Sequence, residues 1–362
     1  MDVSEFDFEL PDELIAQEPA PRGESRLLVL SRASGEITHS SFSQIGEFLR
    51  RGDLLVVNNT RVFPARLLGY RVPSGGAVEC LLLRQLPSTD DALGVGRLGV
   101  GSSALWDALV HPGQKLKPGA QVRFERDGVS LFGEVLDRRF HGRRTIRLWT
   151  GDGREVSDVV DAIGHMPLPP YIHRDDRPED RERYQTVYAR SRGSVAAPTA
   201  GLHFTEAIIT DLMERGIERT EITLHVGYGT FKPVRAERVE DHTVDAEAFT
   251  VSAAAAAAIT AALSQRRRVI AVGTTTVRAL ESLNLDAHGV LHPASGETAL
   301  FIYPGREFRI VSGMVTNFHL PKSSLLMLVS ALAGRERVLH AYREAVARRY
   351  RFYSYGDAML IV

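Results

Sequence analysis

The sequence predicts an α/β main domain with an inserted small all-β, barrel-like domain. Three observations lead there. Short strands and helices alternate up to about residue 65 and again from residue 151 to 362. Between them, residues 66–150 carry short β-prone runs punctuated by Gly, Pro and Asp, with no long helical pattern. A chain of 362 residues also has room for two domains. The simplest division is a discontinuous α/β domain, residues 1–65 and 151–362, holding a barrel of residues 66–150.

The elements follow in order. Residues 11–16 read as one helical turn and the apolar run 26–30 as a buried strand. Residues 44–49 read as a short helix, and 53–57 as a second strand ending at Asn58-Asn59-Thr60. The β block offers strands at 78–83, 121–125, 131–136 and 145–149. A helix is expected over 156–163. Thr205 is placed to cap a helix over 206–215, with Gly216 as its stop. A strand over 220–226 and an alanine-rich helix over 253–265, capped by Ser252, come next. A strand over 268–272 runs into Gly273-Thr274-Thr275-Thr276 and a helix over 277–283. Two helices, 323–333 and 336–350, are separated by Gly334.

Bulk composition narrows the class of protein. Hydrophobic residues make up 44% and charged residues 25%, enough apolar material for a core without staples. Net charge is −1, so nucleic-acid binding would need a local basic patch. Cys80 is the only cysteine, which excludes an intramolecular disulfide framework and any thiolate zinc cluster. The acidic start, Met1-Asp2-Val3-Ser4-Glu5, lacks the apolar stretch of a signal peptide. The longest apolar run, residues 325–333, is too short for a bilayer. A cytoplasmic protein without a membrane partner is expected, with a monomer as the working assumption.

Several turns carry polar groups in patterns that suit chemistry. Gly94-Val95-Gly96-Arg97-Leu98-Gly99 matches a dinucleotide fingerprint, but no strand precedes it and no helix follows, so it reads as a loop. Gly273 to Thr276 follows a buried strand and opens a helix, which puts free N–H groups and hydroxyls of Thr274 and Thr275 together, with Arg278 in reach. Small residues crowd Ser194 to Gly201, including Pro198, Thr199 and Ala200, and suit a backbone lying against a flat ligand. His203 ends that run. His225, Tyr228, Thr230 and Lys232 sit in a glycine turn after a strand, where open α/β sheets bind ligands. His242, Asp245 and Glu247 suit acid–base work better than a metal. Asn317, His319 and Lys322 approach a helix start. Basic runs occur at 138–144, 266–268 and 348–355. The last interleaves Tyr350, Phe352, Tyr353 and Tyr355 with arginines, which suits stacking on unpaired bases.

Taken together, these segments resemble one family, the S-adenosylmethionine:tRNA ribosyltransferase-isomerases of the queuosine pathway. The matching segments are residues 6–19, 25–30 and 58–66, the last holding Asn59 and Arg61. They continue through Tyr184-Gln185-Thr186-Val187-Tyr188, residues 193–205 and 224–231, then 270–276, 316–323 and 350–359, the last holding Asp357. The resemblance runs nearly end to end and is weakest in the β block. It implies an α/β fold carrying an inserted β-barrel and no prosthetic group. It also implies S-adenosylmethionine as a ribosyl-donating co-substrate and tRNA carrying 7-aminomethyl-7-deazaguanine at the wobble position as partner. Epoxyqueuosine-tRNA, adenine and methionine would be the products. Where the family usually has a methionine and a second histidine, this chain has Val244 and Asp245. Ser312 stands where an aspartate is frequent.

The chemistry implied requires a base for a C5′ proton made acidic by the sulfonium, an acid for departing adenine, and a dry pocket. On this reading His203, His225 and His242 are the acid–base candidates, with Asp245 a fourth. Asn317 and His319 would hold the ribose or incoming base, and residues 197–201 would face a purine or deazapurine ring. Gly273 to Thr276 would take the methionine carboxylate or a tRNA phosphate, and Tyr353, Tyr355 and Asp357 would position the wobble base. The competing readings are a non-catalytic tRNA-binding module and an S-adenosylmethionine-dependent RNA methyltransferase. The second lacks its glycine-rich loop after the first strand, where Ser31 to Gly35 stand instead.

Overall fold

The structure, a computed structural model, describes residues 1–87, 102–139 and 142–362. The glycine motif at Gly94–Gly99 and the middle of the first basic run, Phe140 and His141, lie outside the described residues.

Two short 3-10 turns, Val3–Phe6 and Asp12–Leu14, precede β1 (Arg26–Leu30) and β2 (Ile37–Ser41). A 3-10 helix at Phe42–Glu47 leads to β3 (Leu54–Asn58) and β4 (Thr60–Val62). Six strands follow: β5 (Arg66–Val72), β6 (Ala77–Leu86), β7 (Ser103–His111), β8 (Gln121–Arg126), β9 (Val129–Arg138) and β10 (Arg143–Trp149). They close into a barrel in the order β10-β7-β6-β5-β8-β9. Beyond it lie α1 (Val156–Ile163), α2 (Asp180–Arg183), β11 (Ser191–Ser194), α3 (Glu206–Glu214), β12 (Glu218–Leu224) and β13 (Glu247–Val251). The chain continues with α4 (Ala253–Ser264), β14 (Val269–Val272), α5 (Thr274–Glu281), β15 (Ala294–Thr298) and β16 (Gly313–Asn317). It ends with α6 (Ser324–Ala333), α7 (Arg335–Ala347) and β17 (Ala358–Ile361). The expected architecture, an α/β sheet domain with a barrel, is what the chain adopts.

Nine strands build the main sheet in the order β15-β13-β12-β3-β14-β16-β17-β1-β2. Its centre, β12-β3-β14-β16, is parallel, and both its faces are covered. Leu54 and Val56 join the core under α4 to α7, whereas Leu55 and Val57 join the core under α3. The same alternation splits Leu28 and Leu30 from Leu27 and Val29, and Val269 and Ala271 from Ile270 and Val272. A strand buried on both faces reads as a continuous apolar run, which is why β1, β3 and β14 were visible in the sequence.

The barrel obeys the other rule. Val78, Cys80 and Leu82 of β6, and Trp106, Ala108 and Val110 of β7, point inward at every second position, with the less buried Glu79, Leu81, Leu105 and Leu109 beside them. Helix α1 adds Val156, Val159, Val160 and Ile163 to this core. Cys80 lies wholly inside, and burial raises its thiol to about 12.

Several edge elements escaped the sequence reading. β13 and β15 are five-residue strands containing Glu, Thr, Ser and Gly, and they exist because each supplies the other's ladder beside β12. Helix α5 begins at Thr274 and not at 277. Three β-branched threonines are poor helix formers, but Gly273 turns at φ +91° to start the helix, and the Thr276 hydroxyl donates to the Val272 carbonyl at 2.6 Å. Among the described residues no helix is long and apolar enough to cross a membrane.

Candidate active site

The parallel strands β3, β12, β14 and β16 end on one side of the sheet. Their carboxyl ends deliver Asn58, His225, Gly273 and Asn317, the edge where open α/β sheets hold ligands. There the small-residue segment, the start of α5, the end of β16 and Tyr353 enclose an inner cavity of about 50 Å³. Pro198, Thr199, Ala200, Thr230, Thr274, Thr275, Asn317, His319 and Tyr353 all line it. A wide cleft of about 580 Å³ opens next door, between the barrel and the loop after α1. Val195 and Ala196, Tyr171 and Ile172, and Tyr228 and Thr230 each put one residue in the cleft and one in the inner cavity, so the two spaces adjoin.

Asn317 is the hub. Its Nδ2 lies 3.1 Å from the Tyr353 carbonyl, which can only accept, so that atom is the amide nitrogen. The same Nδ2 sits 3.2 Å from His203 Nε2, which must therefore be unprotonated. His203 then carries its proton on Nδ1 and donates to Ser25 Oγ at 2.9 Å. Asn317 Oδ1 accepts from Thr199 Oγ1 at 3.3 Å. A polar line, Ser25–His203–Asn317–Thr199, thus crosses the segment and ends at the cavity wall. Tyr353 holds a strained φ of +74° in this turn, and its ring stands edge-on to Tyr171 at 3.9 Å.

The imidazoles are neutral groups. Burial pushes His203 down to about 3, with the Arg351 charge adding to it, and burial alone does the same to His319. His319 Nε2 meets the Thr316 hydroxyl at 2.8 Å. Burial also lowers His225 and His242. Both buried rings have folded values below their unfolded 6.5, so the unfolded chain takes up two protons that the folded one refuses. Their contribution to stability is complete above about pH 6.5 and is lost as pH falls towards 3. His203→Gln is expected to flatten that acid limb, read as the urea midpoint between pH 7 and pH 4.

The structure disperses the other expected site residues. His203 sits behind the segment and faces Ser25, with both nitrogens engaged. His225 Nδ1 meets Thr60 Oγ1 at 2.8 Å and its ring packs on Gly193. His242 stands edge-on to Phe301. Neither lines the four cavities described. Asp245 is clamped by Lys232 at 2.8 Å and by the barrel's Arg143 at 2.9 Å. Burial alone would raise its carboxyl, but these two cations hold it below the ordinary value, which makes it a weak base. Arg278 is not free to meet a substrate: it pairs with Glu247 at 2.6 Å and donates to the carbonyl of Leu300 at 2.9 Å. Asn59 bonds Glu221 and Thr223 inside the fold, and Asp357 accepts the backbone N–H groups of Arg26 and Arg351. Tyr355 is buried with its hydroxyl on Asp180. Arg61 is exposed on β4, and Tyr228 lines the cleft.

Gly201 packs under Thr186 and Tyr188. A Cβ there would run into the Tyr188 hydroxyl and come within 2.7 Å of Thr186 Cγ2. Gly201→Ala is therefore expected to destabilise by about 1–3 kcal/mol and to displace the cavity wall, seen as a lower urea midpoint together with weaker donor binding.

The start of α5 is chemically ready for an anion. Its cap, Gly273, provides no side chain, so the first-turn N–H groups face the cavity unpartnered by the helix. Thr275 is 6% exposed, and its buried hydroxyl has no partner among the described residues. Among the described residues no group of three or more His, Cys, Asp or Glu is placed to hold a metal.

The family model described as "Queuosine biosynthesis protein" matches residues 3–361. The chain belongs to this family. It is 50% identical to the S-adenosylmethionine:tRNA ribosyltransferase-isomerase of Halothermothrix orenii and 51% identical to that of Symbiobacterium thermophilum, in each case over the whole of both chains. The crystal structure of S-adenosylmethionine tRNA ribosyltransferase from Thermotoga maritima shares 37% identity and superimposes with a TM-score of 0.54. That match covers 99% of this chain and 100% of that one. The motifs that carried the family resemblance include those that build the inner cavity: 193–205, 270–276 and 316–323. Tyr171 and Ser25 were not singled out in the sequence, and Glu247 was grouped with acid–base residues without its Arg278 partner, because these roles arise from partners distant in the chain.

Proposed function

We propose that the chain transfers and isomerises the ribosyl group of S-adenosylmethionine onto 7-aminomethyl-7-deazaguanine at the tRNA wobble position, giving epoxyqueuosine-tRNA, adenine and methionine. The observation that carries this reading is full-length family membership joined to an anion-ready helix start inside a cavity at the sheet's carboxyl edge. In this reading residues 66–150 form an inserted domain, and residues 1–65 with 151–362 carry the chemistry.

The donor's amino-acid carboxylate meets the α5 N-terminus and the Thr275 hydroxyl. Thr199, Asn317 and His319 orient the ribose hydroxyls, and Ala197 to Ala200 lie against the adenine. The inner cavity, about 50 Å³, is far smaller than the roughly 300–1,000 Å³ of small-molecule sites. Donor binding thus opens the wall made by Tyr171, which is hydrogen-bonded to Ser354 and stands edge-on to Tyr353. The cleft of about 580 Å³ has the size to admit the tRNA base from the barrel side. The imidazoles, neutral at pH 7, act as acceptors or bases and not as acids.

The test is to incubate the protein with labelled S-adenosylmethionine and precursor-modified tRNA. Free adenine and methionine in equal amounts are expected. S-adenosylhomocysteine would point to methylation, and binding without turnover to a non-catalytic module; either overturns the reading.

A further inference from the structure

The reverse side of the small-residue segment carries a second feature. Leu202 and His203 turn away from the inner cavity and form the floor of a shallow depression with Ser25 and Ser354. Arg22 and Arg183 stand at its rim. Ser354 lines the inner cavity too, so one residue separates the two spaces.

We propose that Arg22 and Arg183 form a phosphodiester-binding site that takes a backbone phosphate of the tRNA beside the nucleotide being modified. This site rests on the tRNA reading above.

Three features of the site support it. First, the arginines are held by neutral groups. Arg22 Nη2 donates to the carbonyls of Glu182 at 2.7 Å and Gln185 at 2.5 Å, and Arg183 Nη2 donates to that of Ala20 at 2.8 Å. Their remaining N–H groups have no acceptor among the described residues. The backbone carbonyls orient both forks, and no carboxylate is hydrogen-bonded to either arginine among the described residues, although the Glu182 charge acts on Arg22 from nearby. Forks held in this way suit phosphate recognition. No carboxylate lines the depression, whereas Glu79, Asp175 and Asp176 line the wide cleft. A polyanion's backbone is therefore favoured here, and the cleft is left to a base.

Second, the floor holds an unused donor. Ser25 is 5% exposed and accepts from His203 Nδ1, so its own hydroxyl hydrogen has no acceptor among the described residues. Third, the depression holds about 20 Å³, room for one oxygen-sized group. A phosphate resting on the rim sends one oxygen down to Ser25 while two others meet the guanidiniums. Burial, and then the neighbouring charge of Arg183, lower the Arg22 guanidinium from its ordinary value. An anion between the pair relieves that repulsion.

The test uses the full-length protein and an anticodon stem-loop with single neutral methylphosphonate linkages placed around the wobble nucleotide. One linkage is expected to weaken binding to the wild-type protein about tenfold. Arg22→Gln/Arg183→Gln is expected to bind the unmodified stem-loop about tenfold more weakly, and to be indifferent to methylphosphonate at that linkage. Its affinity for S-adenosylmethionine is expected to match wild type, which reports an intact donor cavity. If the variant remains as sensitive to every linkage as the wild type, or if no linkage matters in the wild type, the site is overturned. If the wild type binds no stem-loop at all, it is the tRNA reading that fails.

Discussion

Replacing Glu247 by alanine is expected to destabilise the protein by about 3–5 kcal/mol, seen as a large drop in the urea midpoint. Glu247 is 4% exposed and pairs with the equally hidden Arg278. Its Oε1 accepts the Gly227 N–H at 2.8 Å and the Thr230 hydroxyl at 3.3 Å. The alanine variant leaves a guanidinium buried without a counter-charge and releases the glycine turn that carries Thr230 into the inner cavity. Glu247→Gln keeps the acceptor for the turn and loses the charge, so it should fall between wild type and alanine. A Glu247→Met/Arg278→Met pair should regain much of the lost stability, because desolvating two charges offsets most of what their attraction contributes. Activity should not return with it, since the turn still lacks its anchor. A stable and fully active double variant would contradict this account.

Asn317→Ala is expected to lower kcat by about 100-fold, the scale of losing one preorganised polar group at a reacting centre. Asn317 is where the cavity's order is set, since one amide bonds His203, the Tyr353 carbonyl and Thr199. Its removal leaves an acceptor lone pair and a strained turn without their donor, so a loss of about 1–3 kcal/mol in stability should accompany the kinetic effect. Asn317→Asp should be no better. A carboxylate sets acceptor against acceptor at both His203 Nε2 and the Tyr353 carbonyl. A kcat within about threefold of wild type for either variant, with normal folding, would remove Asn317 from the centre of the site.

Much of the fold was legible because burial writes itself into local patterns. β1, β3 and β14 are apolar runs because the sheet is covered on both faces. The caps expected at Thr205 and Ser252 are ordinary hydroxyl caps, each accepting from the N–H three residues on, and Ser323, expected as a first helical residue, caps its helix in the same way. The barrel was readable as a texture of short strands, although β5 and β7 were not picked out individually. The edge strands β13 and β15 have no such signature, since their ladders come from neighbours remote in sequence.

The site was legible in part. Pro198 to Ala200, Thr274, Thr275, Asn317 and His319 do meet around one cavity, because each stands at a turn where a strand ends or a helix begins. The surroundings of the histidines were not legible, for a common physical reason. A sequence shows that an imidazole is present but not how much water reaches it, and burial turns His203 and His319 into weakly basic, hydrogen-bonded groups. The setting of Asp245 was hidden likewise, because its two cationic partners come from β10 and from thirteen residues upstream.

By itself, then, the sequence determined the α/β-plus-barrel class, the covered sheet and the turns from which the cavity is made, all of which follow from local propensity and periodic burial. Only the tertiary structure decided which polar groups remain available. It joined Ser25, His203, Asn317 and Thr199 in one line, closed Glu247 on Arg278, held Arg22 and Arg183 on backbone carbonyls, and left the Thr275 hydroxyl without a partner among the described residues. Hydrogen-bond satisfaction and desolvation are properties of the packed whole, set by partners that the order of residues along the chain does not reveal.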